Sequence, residues 1–226
     1  MAVPAVIAEA VQTFTTWVIP LLLAMTLHEA GHAFAAYALG DDGVMHDGRL
    51  SLNPKDHIDP VGTLLLPMLM LLSGARLMIG WAKPVMVNFG RLKPQRLGGI
   101  LVSLAGPGTN FLLAVISAAA YFHLSDYVPE AGHDWAVRNL INSVSCNLSL
   151  MVFNLLPIPP LDGGRVVAGL LPRYWAWKFE QLERYSQLIL LGLIFILPML
   201  HIDILRILIG IPVMLLTELL SSLLGP

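Results

Sequence analysis

Long apolar runs separated by short polar stretches set the organisation of this chain. Residues 5–39 carry only two charged side chains, Glu9 and Glu29, and exceed the roughly 20 apolar residues a spanning helix needs. Pro20 predicts a kink, which membrane helices tolerate. Gly40 followed by Asp41 and Asp42 predicts the stop. Residues 97–123 and 140–156 predict two further spans. Residues 186–200 and 202–224 predict a final helical pair turning near residues 201–203. Residues 60–72 are apolar but short and interrupted by Pro67, which suits a span, a re-entrant piece or an interfacial helix.

The intervening stretches read differently. Asp47-Gly48 lies between 44–46 and 49–52 and predicts a small β-hairpin. His46 and His57 fall in this polar region and read as solvated loop histidines. Residues 77–89 read as extended, with Pro84 confining them to an edge strand or loop. Tyr174, Trp175 and Trp177 suit a membrane interface.

Composition narrows the class. Of 226 residues, 56% are hydrophobic and 12% charged, against about 25% charged in an average soluble domain. With a mean hydropathy of +0.73, the chain reads as an all-α polytopic membrane protein with a single membrane-embedded domain over 1–226. A net charge of −2 argues against a nucleic-acid partner. The single cysteine, Cys146, excludes a disulfide framework and a cysteine-rich metal site. The first basic residue is Arg49, so the basic flank of a cleavable signal peptide is missing. The first apolar segment is therefore expected to stay in the mature protein.

The chemistry starts at His28-Glu29-Ala30-Gly31-His32. Helical residues four apart differ by about 40° in direction and about 6 Å along the axis. His28 and His32 thus share a face and can hold one zinc ion. Glu29, on a neighbouring face, is placed to take a proton from a water at the metal. The competing reading is a chance match with packed or solvated histidines. Against it, an ionisable group at mid-membrane costs about 2.5–3.5 kcal/mol on insertion scales, and three within five residues need a partner. Asn110, in Gly106-Pro107-Gly108-Thr109-Asn110, must hydrogen-bond across to a neighbour, as helix glue or as a site residue. Pro157, Pro159 and Pro160 break the helix after Asn154, and Gly163 and Gly164 permit close backbone approach. Asp162 between them suits a metal ligand or a turn-capping aspartate.

His28-Glu29-x-x-His32, Gly106-Pro107-x-x-Asn110 and Asn154…Pro157…Leu161-Asp162-Gly163-Gly164, in that order, resemble the site-2 protease family of intramembrane zinc metalloproteases (peptidase M50-like). The resemblance covers roughly residues 28–165. Asn53-Pro54…Asp59-Pro60-x-Gly62-Thr63 and Gly80-Trp81-Ala82-Lys83-Pro84 look like the compact bacterial and archaeal branch, and no stretch has room for the PDZ domain of some relatives. The resemblance implies one catalytic Zn²⁺ held by His28, His32 and Asp162, with Glu29 as general base. It implies that Asn154 holds or polarises the substrate carbonyl and that Asn110 also serves substrate binding. It implies cleavage in or near a transmembrane segment of another membrane protein, in a bacterial or archaeal cell membrane. No site position departs from the family pattern. Two neutral imidazoles and one carboxylate leave Zn²⁺ with net charge +1 and an open fourth position.

Such a centre imposes a topology. Both histidines lie near the end of the first span and Asp162 lies just past the end of 140–156, so these two ends must share a side. An even number of crossings must separate them. Residues 97–123 and 140–156 supply two, so 60–72 is expected to dip in or lie against the core without crossing. Of 13 Lys and Arg, 11 fall in 41–96 or 158–185, which the positive-inside rule places in the cytoplasm. The expectation is five spans, an external N-terminus, a catalytic core over about 5–165 and a C-terminal helical pair. The extended segments 44–52 and 77–89 offer an edge against which an unwound substrate strand can pair. The alternative function is a metal-binding membrane scaffold or transporter without hydrolysis, or an inactive relative acting as a binding chaperone.

Overall fold

The computed structural model describes residues 3–65, 69 and 82–225. The first helix, α1 (Val3–Ala38), runs unbroken through Pro20. Pro20 has no N–H to give the Thr16 carbonyl four residues back, and Asn142 of another helix donates to that carbonyl instead, at 2.8 Å. The stop is the expected glycine: Gly40 takes φ 105°, its N–H donates to Tyr37, and the N–H of Asp41 donates to Ala36. This is a Schellman cap.

Three helices form the inner bundle: α1, α4 (Gln95–Leu124) and α5 (His133–Asn154). Small residues let them approach. A Cβ on Gly31 would lie 2.4 Å from Thr109 Oγ1 and 2.9 Å from the Ala105 carbonyl oxygen, so the glycine inside the histidine motif is what brings α1 onto α4. One apolar core joins Ala33, Ala36, Leu92 and Val102 at the end of α1. Another joins Ala114, Ala118, Val144 and Leu148 with Leu220 of the last helix. After the bundle come α6 (Asp162–Leu170), packed on α4, then α7 (Arg173–Glu180), α8 (Ser186–Leu191) and, last among the described residues, α9 (Ile211–Leu224).

Among the described residues, four helical stretches are long and apolar enough to cross a membrane: Val11–Ala38, Gln95–Tyr127, Arg173–Met199 and Arg206–Leu224. Large apolar side chains such as Leu101, Leu112 and Ile116 cover the outside of α4, as a helix facing lipid requires. The protein is an all-α membrane protein. The helix expected as a further span, α5, is not among these four. Its asparagines lower its hydropathy, and Asn142 and Asn147 are turned inward onto α1 and α4.

The expected hairpin is not present. Gly43–His46 is a short helix, α2, and no strand occurs among the described residues. Asp-Gly serves a hairpin turn and a helix cap equally well, and here it caps. Gly48 sits at φ 67°, its N–H donates to Met45, and that of Arg49 donates to Val44. His57, at the end of α3 (Pro54–His57), is fully buried rather than solvated, with Nε2 2.8 Å from the Ser51 carbonyl. His46 is exposed, as expected.

Of residues 60–72, Pro60–Leu65 forms a π-helical turn, while 66–68 and 70–72 lie outside the described residues, as do 77–81. Beyond them the chain returns to the end of α1. The N–H of Lys93 donates to the Leu39 carbonyl at 2.8 Å, and that of Asn88 donates to the buried Asp41 carboxylate at 2.7 Å.

Residues 82–88 carry no regular secondary structure and the chain turns at 89–90. The Val87 N–H donates to the Val85 carbonyl at 3.2 Å, a three-residue turn about Met86 in place of the extended edge expected there. Val85, Val87 and Phe89 turn inward onto the core and Met86 and Asn88 outward, the period-two alternation of a strand.

Candidate metal centre

His28 and His32 stand one helical turn apart on α1, and Asp162 opens α6, directly after the proline-rich loop. That loop is tight. A Cβ on Gly163 would lie 2.2 Å from the Leu155 carbonyl oxygen, and one on Gly164 2.6 Å from the Pro159 nitrogen. The two glycines therefore let the chain fold back on the end of α5 and carry Asp162 to the histidines.

The protons on both rings follow from their partners. His32 Nδ1 lies 2.7 Å from the Val102 carbonyl, a pure acceptor, so Nδ1 carries a proton. His28 Nδ1 lies 2.6 Å from Asn110 Oδ1. The Asn110 amide can face only one way, because its Nδ2 donates to the Ala24 carbonyl at 3.0 Å. Its oxygen therefore accepts from His28.

Each neutral ring thus presents a bare Nε2 lone pair. These two atoms lie 3.1 Å apart and 3.2 and 3.3 Å from Asp162 Oδ2, which is itself buried without a hydrogen-bond partner. Three buried acceptors facing one another repel unless a cation lies among them. The donor set of two imidazoles and one carboxylate is that of a catalytic zinc site, and both Nδ1–H bonds are the second-shell contacts that orient metal-binding histidines. Room for an ion is kept by Gly106 of α4. A Cβ there would lie 2.4 Å from His32 Nε2 and 2.7 Å from His28 Cε1. The residues present fit Zn²⁺.

A cavity of about 190 Å³ adjoins this cluster, lined by Pro84, Val85, Val87 and Phe89 of the 84–89 segment and by Asn154, Leu161 and Arg165. Glu29 lines it, and its Oε2 accepts the Val85 N–H at 2.9 Å. Arg165 stacks over Phe89 at 4.8 Å, holding α6 to the 84–89 wall.

The structure therefore brings His28, His32, Glu29, Asn154 and Asp162 to one place. Asn154 spends one amide donor on the Leu150 carbonyl of its own helix, at 3.0 Å. Asn110 is placed differently from the expected substrate contact. It is fully buried behind His28, off the cavity, with every polar atom engaged.

Three further residues had no distinguishing sequence signal. Gly106 was legible only as a packing glycine. Val85 was legible as strand but not as a partner of Glu29. Ser103 lines the cavity, almost wholly buried, with an Oγ that has no partner.

Comparison with known proteins gives a consistent picture. The model of "Peptidase family M50" matches residues 128–198. A Bacillus subtilis (strain 168) protein named "Putative zinc metalloprotease YwhC" is 40% identical over 185 residues, which cover 80% of this chain and 80% of that protein. Proteins named "Putative zinc metalloprotease Rip2" are 34% identical in Mycolicibacterium smegmatis and 39% in Mycobacterium tuberculosis, each over 142 residues, or 63% of this chain. The match spans about half, 52%, of the Rip2 length. No solved structure matches.

Proposed function

Since this chain belongs to peptidase family M50 and is accordingly a zinc metalloprotease, we propose that it is an intramembrane endopeptidase, hydrolysing a peptide bond in or near a transmembrane segment of another membrane protein. The observation that carries this reading is the buried triad of unpaired acceptors, His28 Nε2, His32 Nε2 and Asp162 Oδ2. It lies inside a bundle whose outer faces are apolar and beside a cavity that holds a carboxylate.

His28, His32 and Asp162 hold the ion. Zn²⁺, when bound, supplies a Lewis acid that polarises the scissile carbonyl and makes water acidic enough to attack it. Glu29 is the proton carrier. The Val85 N–H fixes one of its oxygens, leaving the other to take a proton from the attacking water and return it to the departing amine as the C–N bond breaks. The second amide N–H of Asn154 serves the carbonyl oxygen as negative charge develops there.

A helical substrate must unwind before its carbonyls can be reached. The wall at 84–89 supplies what an unwound strand needs. Its inward side chains face the cavity, and among the described residues the main chain of Met86, at the tip of the Val85–Val87 turn, has no hydrogen-bond partner. The substrate strand adds to this edge. Proline at 86 removes an N–H from the edge and leaves the Val85–Glu29 bond in place. Met86→Pro should therefore slow cleavage about tenfold, the loss expected of one or two hydrogen bonds in a dry site, with zinc content unchanged. Unaltered cleavage rules out strand addition here.

In this reading α5 crosses the membrane between α1 and α4, making five spans. The chain leaves and re-enters at one end of the bundle, as the Leu39–Lys93 contact suggests. The metal centre sits towards the cytoplasmic, basic side, with the N-terminus outside. The direct test is reconstitution in lipid vesicles with a single-span membrane protein. Fragments ending within its hydrophobic segment, abolished by a zinc chelator and restored by Zn²⁺, are the expected result. Cleavage confined to soluble loops would refute the proposal.

A further inference from the structure

Behind His28 the hydrogen bonds continue through the bundle. Asn110 of α4 uses its second amide proton on Asn147 Oδ1 of α5, at 2.9 Å. Asn147 is buried, and its Nδ2 donates to the Ser143 carbonyl at 2.9 Å. A backbone carbonyl only accepts, so the Asn147 amide cannot flip. Its oxygen must face α4, and there it accepts from Asn110. Ser143 Oγ lies 2.7 Å from Ser117 Oγ, tying the same point of α5 back to α4.

The chain thus runs from the Ser143 carbonyl through Asn147 and Asn110 to His28 Nδ1, with every donor and acceptor assigned. Asn110 is held at both protons, by Ala24 of α1 and by Asn147 of α5. It cannot turn its amine towards His28 without leaving two buried acceptors unpaired and setting donor against donor.

We propose that Asn147, acting through Asn110, is a positioning residue for the metal centre: it locks the His28 ring in the Nδ1-protonated form that presents Nε2 to the ion. This rests on the reading of His28 as a zinc ligand. The relay links three helices at the point where the ligand must be held still, and neither asparagine touches the cavity. Outer-shell partners of metal-binding histidines are worth about 10–100-fold in affinity.

The experiment measures Zn²⁺ affinity of the purified full chain by chelator competition, together with the visible spectrum of the Co²⁺-loaded protein. Asn110→Leu should weaken Zn²⁺ by about 10–100-fold, and Asn147→Leu by about 10-fold. Because the second residue works through the first, the double variant should be no weaker than Asn110→Leu alone. Both single variants should alter the Co²⁺ absorption bands, a change that simple loss of helix packing does not produce.

Asn147→Asp, neutral in this buried setting, keeps an oxygen towards Asn110 and an O–H towards the Ser143 carbonyl, and should bind Zn²⁺ within about twofold of the wild type. It carries the test should the leucine variant not fold. Wild-type affinity in folded Asn147→Leu, additive losses in the double variant, or weakened binding in Asn147→Asp would each overturn the relay. A wild-type chain that binds no zinc would instead defeat the underlying reading of His28, so the two failures are distinguishable.

Discussion

Gly106→Ala should cost the protein its metal while leaving its helices intact. The added methyl group would sit 2.4 Å from His32 Nε2 and within 2.7 Å of two other imidazole atoms. Neither ring can simply swing aside, because each is pinned through Nδ1, His28 by Asn110 and His32 by the Val102 carbonyl. The methyl therefore occupies the space an ion needs, and Zn²⁺ affinity should fall on the order of 100-fold or more, at or beyond the upper end for disturbed histidine ligation. Proteolysis should fall with it. Helix propensity works the other way, since alanine is favoured over glycine inside a helix by about 0.5–1 kcal/mol. Gly108→Ala is the matched control. It lies two positions along the same helix, and nothing stands within 4 Å of its added Cβ. It should retain zinc and activity. A Gly106→Ala protein with wild-type zinc content would mean that the ion does not sit among these three side chains.

Glu29→Gln should separate chemistry from metal binding. The amide has the size of the carboxylate and can still accept the Val85 N–H through its oxygen, so the cavity wall stays in place. It cannot carry a proton. Cleavage should drop by about 10²–10⁴-fold, the usual worth of a positioned general base, with zinc stoichiometry unchanged. A metal-binding scaffold or transporter using the same ligands would lose nothing on this substitution. Zinc analysis beside vesicle cleavage and metal-flux assays therefore distinguishes the two functions. In cells, a single-span protein that accumulates when Glu29→Gln replaces the wild type is the natural substrate candidate. Undiminished cleavage would remove Glu29 from the mechanism.

The two substitutions differ in how they could be foreseen. Glu29 announces itself in a five-residue pattern. Gly106 does not. Its spacing within Gly106-Pro107-x-x-Asn110 says only that helices can approach there, and what it leaves room for lies on another helix. Asn110 shows the same limit. A polar residue at membrane depth must find a partner, which the sequence states. The partner proved to be His28, 82 positions away, in place of the substrate. The Asp47-Gly48 pair failed as a hairpin turn for a more local reason. The left-handed backbone that glycine supplies suits a hairpin and a helix cap alike, and the burial of Val44 against the end of α1 favours the helix.

What the sequence determined alone is what short-range physics encodes. The apolar runs dictate membrane helices, Gly40 ends the first of them, a four-residue spacing puts two imidazoles on one face, and three prolines with two glycines break the chain around Asp162. These depend on residue type and on neighbours within a turn or two. The tertiary structure decided everything that needs two distant segments at known separation: the meeting of Asp162 with both histidines, the seat of the 84–89 wall on Glu29, the burial of His57, and the amide relay behind His28. Helix packing is fixed by which side chains interdigitate across an interface, and one chain read in order does not contain that pairing.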